Sequence, residues 1–139
     1  MISGRFLLVL VAGSLIVSTS VEAATCEDNA RDNAEMTDCA IASADRAMAE
    51  AGKHYRKVLD TAKRAMAECD LRINFAPKIN ESQHLWEQAT RVQCELQGDV
   101  IMGTAAGIAT AACMQKSAQQ RIKAMDEVSE TILGWCPEK

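Results

Sequence analysis

The chain has 139 residues, six cysteines and two prolines, with 48% apolar residues, 4% aromatic residues and a formal net charge of −4. That length fits one domain and crowds two, and the acidic balance argues against a nucleic-acid binder, which needs a basic face. The apolar content argues against a disordered chain, and few aromatics beside abundant alanine argue against an all-β sandwich.

Met1 to Arg5 carry one positive charge, Phe6 to Val17 form an apolar run, and Val21-Glu22-Ala23 is a small-x-small cleavage signal. Together they predict a secretory signal peptide cut after Ala23, with residues 24–139 as the exported unit. The apolar run is short for a membrane span, so no stable membrane insertion is expected after cleavage. Ala23 and Thr25 flank the approach to Cys26 where a lipobox would need a large aliphatic residue and a small one, so a soluble periplasmic or secreted product is expected. Export favours disulfides over reduced thiols. Cys26, Cys39, Cys69, Cys94, Cys113 and Cys136 all follow the cleavage point, and an even number fits a closed framework. Their intervals contain no CxxC, and His54 and His84, the two histidines, stand outside zinc-ligand spacing, so no metal site is expected.

The segment from Cys26 to Asp32 is polar and acidic and reads as a leader. Apolar residues then recur every three or four positions at Met36, Ala40, Ala44, Met48, Ala51, Tyr55, Leu59, Ala62, Met66 and Cys69. This spacing predicts a first helix over about 33–68, with Gly52 as a point where it can bend or split. Asn74, Pro77 and Asn80 punctuate a first break over 70–80. Asn80 and Gln83 resemble a capping box for a second helix running to about Leu96, with Leu85, Trp86, Ala89, Val92 and Leu96 as its core face. Gly98, Gly103 and Gly107 mark a second break over 97–107. Periodicity resumes at Ile108 and runs through Ala112, Ala118, Ile122, Met125, Val128 and Ile132 to about Leu133, with Gly134 as the C-cap. The expected fold is all-α, a small antiparallel bundle of about three helices stapled by disulfides.

In an up-down-up bundle the end of the first helix and the end of the third share a pole, which predicts Cys69–Cys136. Cys39–Cys113 and Cys26–Cys94 are the expectation for the other four. The core is rich in Ala and Met, which bury little area each, so covalent links at about 2–4 kcal/mol apiece offset a thin core.

The pattern of these residues resembles the LprI-type lysozyme inhibitor family of exported bacterial proteins. Cys26 with Glu35-Met36-Thr37-Asp38-Cys39 is similar to its N-terminal cysteine and "EMxxC" run, and Ala44-Asp45 with Tyr55 and Leu59 to its "aD…L…Y…L" helix. Gln83-His84-Leu85-Trp86 lies in a segment like its "aQraW" signature, followed by Cys94, by Gly103 and Cys113, and by Arg121 in the terminal helix. Thr90 stands where the family usually has arginine, with Arg91 one residue on, and Cys69 and Cys136 lie outside the family pattern. The resemblance implies a secreted or periplasmic helical domain, with lysozyme inhibition attributed to some members. It also marks Gln83, Trp86, Tyr55, Gly103 and Arg121 as motif residues with structural roles.

No GxSxG, HExxH, P-loop or Rossmann motif is present, and neither enzymatic activity nor a cofactor is expected. His54, set among Lys53, Arg56 and Lys57, reads as a solvated group, and His84 as a surface or capping residue. Methionines at Met36, Met48, Met66 and Met125 fall on core stripes, which favours packing over thioether copper binding. Trp86 reads as a core anchor and Gln83 as a cap or buried hydrogen-bonding residue. Glu27, Asp28, Asp32, Glu35 and Asp38 concentrate negative charge at the start of the first helix. They favour the helix N-terminus and also form candidate contacts for lysozyme or another basic protein. Blocking a lysozyme further requires occlusion of the cleft where two carboxylates act. Segments 97–104 and 70–80 are both candidates to enter it. The alternative function is a periplasmic interaction or stress-related module for another protein partner.

Overall fold

The computed structural model describes residues 29–69 and 72–136. The predicted signal peptide, Cys26, Glu27 and Asp28 lie outside the described residues. Three helices follow one another: α1 (Asn33–Glu68), α2 (Ala76–Ile101) and α3 (Ala106–Gly134), with a 3-10 turn at Gly103–Ala105 between the last two. The fold is all-α, as expected. No helix among the described residues is long and apolar enough to cross a membrane.

The 36-residue α1 runs unbroken through Gly52. Asp32 caps it by accepting a hydrogen bond from the Glu35 amide at 2.9 Å. Its inward residues are Cys39, Ala40, Ala44, Ala51, Val58, Thr61, Ala62 and Ala65. The periodic reading placed Leu59 and Met66 on this line. Both are half-buried flanks, and the line passes instead through Val58 and Ala65, one residue earlier in each turn.

The alanines let α3 lie close against α1, and this is the most extensive helix pairing in the molecule. At one pole Val58, Ala62, Ala65, Ile79, Met125 and Ile132 draw on all three helices and form the larger core. At the other pole Ala40 and Ala44 meet Ala111, with Ile108 and Met114 beside them. Gly107 lies so close to α1 that a Cβ there would stand 2.9 Å from Thr37 Cγ2.

The second helix starts earlier than expected. Pro77 occupies its first turn, where a missing N–H costs nothing, and Asn74 Oδ1 accepts from the Ala76 amide at 3.1 Å. Asn80 therefore does not cap α2; its Oδ1 accepts from the Tyr55 hydroxyl at 2.8 Å and ties α1 to α2. The helix also ends later, at Ile101, so the break expected over 97–107 is confined to residues 102–105. At its far end α3 includes Gly134, and Trp135 takes the C-cap position.

Cys69 and Cys136 are joined, with Cα atoms 5.2 Å apart, and close the pole where α1 and α3 end. The second described disulfide corrects the sequence expectation. Cys94 pairs with Cys113, not with Cys26, and Cys39 does not pair with Cys113. The short turn after Ile101 brings α2 and α3 face to face and sets these two residues opposite each other, Cα atoms 5.4 Å apart. Cys39 is also disulfide-bonded.

Loop length sets the expected contributions of the two bonds. The separations are 67 residues for Cys69–Cys136 and 19 for Cys94–Cys113. Replacing the first pair with alanine should cost about 4 kcal/mol and the second about 3 kcal/mol. Urea unfolding of the two double variants tests the order; a larger loss from the shorter loop would contradict it.

Candidate functional site

The buried residues of α2 are Ile79, Gln83, Thr90, Cys94 and Gly98, so the face it turns inward is largely polar. Arg121 of α3 donates from Nε to Gln83 Oε1 at 3.1 Å and from Nη2 to Ser82 Oγ at 3.0 Å. Gln83 in turn donates from Nε2 to Glu87 Oε1 at 2.8 Å. Burial holds the Arg121 guanidinium below its usual pKa, opposed by the nearby Glu87 carboxylate. The same guanidinium carbon lies 5.5 Å from the centre of the Trp86 ring. Trp86 Nε1 donates to Ser117 Oγ at 3.2 Å, and that hydroxyl also pairs with Thr90 Oγ1 at 2.8 Å. The motif residues Gln83, Trp86 and Arg121 are thus one network that fastens α2 to α3. No buried side-chain nitrogen or oxygen among the described residues lacks a partner.

This arrangement overturns the expected core face of α2. Leu85, Val92 and Leu96 are exposed, and Ala89 lies on the same outer side. Trp86, at the edge of the inner face, is half-buried. His54 also departs from its reading as a solvated group. Its Nδ1 lies 2.8 Å from Asp126 Oδ1, a contact between α1 and α3. His84 stays exposed, 3.0 Å from Gln88 Nε2. Among the described residues no group of three His, Cys, Asp or Glu side chains could hold a metal ion.

The acidic candidates divide by role. Asp32 serves as the cap of α1. Glu35 accepts from Arg31 through its backbone amide at 2.8 Å and its guanidinium at 2.7 Å, which holds the carboxyl below the usual carboxylate range. Asp38 is exposed one turn further on. These three stand at the same pole as the α2–α3 turn, as the approach of Gly107 to Thr37 requires.

That turn lies within the candidate segment 97–104, and the structure adds the exposure of its apolar side chains, which the sequence did not show. Val100 is 72% exposed, Ile101 48% and Met102 72%. Met102 has φ 57° and ψ 168°, a region rarely adopted by side-chain-bearing residues, and Gly103 follows with φ 68°. One turn below, Gly98 packs directly on Thr110, and a Cβ there would also lie 3.1 Å from the Ala106 carbonyl oxygen. The Cys94–Cys113 bond lies one further turn down. The available sequence signal was an apolar triplet next to glycine, opening a stretch without a charged residue from Val100 to Gln115.

A family model described as lysozyme inhibitor LprI matches residues 26–125. The chain belongs to the LprI lysozyme-inhibitor family. The matched region spans α1, α2 and most of α3, including the Gln83–Trp86–Arg121 network and the α2–α3 turn. No curated protein and no solved structure matches the chain.

Gly98→Ala should push Thr110 away from α2 and cost about 1–3 kcal/mol. Adding Thr110→Ala should recover part of that loss, because it removes the nearest obstructing atom. A Gly98→Ala variant with an unchanged unfolding midpoint would contradict the close packing at this pole.

Proposed function

We propose that this chain is exported with residues 1–23 removed, binds a lysozyme and blocks its substrate cleft sterically, without catalysis or a cofactor. Membership of the LprI family over residues 26–125 carries the reading. The net charge of −4 supports it further, since lysozymes of animal origin are usually strongly basic. Glu27, Asp28, Asp32, Glu35 and Asp38 then act at the encounter stage, where complementary charge speeds association and fixes orientation. Rim charges of this kind set the on-rate and its salt dependence more than the final affinity.

The oxidised protein, in stoichiometric excess at low salt, should suppress lysis of bacterial cells by a basic animal lysozyme. With a soluble oligosaccharide substrate it should raise the apparent KM and leave kcat unchanged, the pattern of a blocked cleft. Unchanged lysis would remove the proposed function. Reversing the charges of Glu27, Asp28 and Asp38 should slow association by about tenfold at low salt, within the range that electrostatic steering spans. An on-rate equal to that of the unaltered protein would remove their steering role.

A further inference from the structure

We infer that the α2–α3 tip, Val100-Ile101-Met102, is the element that enters the lysozyme cleft. The inference rests on the proposed function and assigns it a contact surface. Three consecutive apolar side chains stand exposed at the end of a helical hairpin, where burial against a partner would remove them from water. Leu96 and Val92 continue the exposed apolar surface down the outer side of α2.

Charge selects the occupant. A glycosidase cleft holds two carboxyl groups, one of them ionised, about 5–9 Å apart. A carboxylate entering it would meet like charge, and the tip has none from Val100 to Gln115. The acidic groups of this pole stand behind or beside the tip, Asp99 on α2 just before Val100 and Asp32, Glu35 and Asp38 on α1, where they face the basic rim of such a partner. A second copy of this chain is a poorer fit. Glu95 and Asp99 flank the exposed Leu96 and Val100, and two such faces would bring carboxylates together.

Rigidity also fits the role. The tip is held by the Cys94–Cys113 bond and by the contact of Gly98 with Thr110, so little conformational freedom remains to be lost on binding. Met102 has a positive φ that glycine would adopt without strain, and at 72% exposure its side chain is no part of the core. Folding alone would favour glycine at this backbone conformation, whereas contact with a partner uses the side chain.

The test compares inhibition of a basic animal lysozyme by the unaltered protein and by Val100→Ser, Met102→Gly and the double variant. The double variant should raise the inhibition constant at least tenfold, the size of effect expected when central apolar contacts are lost. Its helical circular dichroism should be unchanged. Met102→Gly alone should weaken inhibition while its unfolding midpoint stays the same or rises, a combination that a merely structural role would not produce. Leu133→Ser, at the opposite pole, should inhibit like the unaltered protein. If the unaltered protein inhibits and the double variant inhibits equally, the tip is not the contact and the proposed function stands. If the unaltered protein inhibits no lysozyme, the proposed function fails and this inference fails with it.

Discussion

The alanine seam between α1 and α3 is the constraint from which the rest of the molecule follows. Ala40, Ala44 and Ala51 on one helix and Ala111 and Ala118 on the other are all buried, and side chains this small allow the backbones to approach closely. Close approach gains dispersion contacts but removes little apolar area from water. Among the buried residues, Val58 and Cys94 are the largest side chains that are fully enclosed. Covalent closure compensates at both ends, through Cys69–Cys136 where α1 and α3 finish and Cys94–Cys113 near the α2–α3 turn. The thin core and the high cysteine content are two sides of one solution to stabilising a small chain.

With α1 and α3 committed to each other, α2 is left as the outer member of the bundle, in contact mainly with α3. Beyond Ile79, which joins the larger core, it is attached by directional bonds and not by an apolar stripe. Gln83, Thr90, Trp86, Ser117 and Arg121 satisfy one another across the α2–α3 interface, and a disulfide and a glycine contact complete it. Removing one member would leave its partners unpaired at a half-buried site, which costs more than the bond itself contributes. Because hydrogen bonds set the rotation of α2, its leucines and valines face outward. The family-motif residues Gln83, Trp86 and Arg121 thus set the rotation of α2 and leave its apolar helix face and tip turned away from the core.

The sequence already revealed α1 almost to the residue, because a long three-four alternation of small apolar side chains has one helical interpretation. The Cys69–Cys136 bond was legible too, since the ends of the first and third helices of an up-down-up bundle must share a pole. The orientation of α2 was not legible. Leu85, Ala89, Val92 and Leu96 form a convincing amphipathic face, and the assumption that such a face turns inward fails when hydrogen-bonding partners on the neighbouring helix set the rotation. The pairing of Cys94 with Cys113 was missed for a related reason. It depends on a tight turn at residues 102–105, and the three glycines around it suggested a longer break. Asn80 looked like a cap because nothing in the local sequence reveals that Tyr55 will reach it. Segment 97–104 was legible as a candidate contact, but the exposure of its apolar triplet was not, because an apolar triplet beside a glycine reads equally as core and as surface until its neighbours are placed.

Hydrogen–deuterium exchange of the oxidised protein, free and bound to a basic animal lysozyme, tests the central claim most directly: the pole shared by the α2–α3 tip and the start of α1 faces the enzyme. New protection should appear over residues 98–106 and in the first turns of α1, with no change at the opposite end, where the Phe75 and Trp135 rings lie 5.4 Å apart. A stable complex whose protection lies at the Phe75–Trp135 end would contradict it.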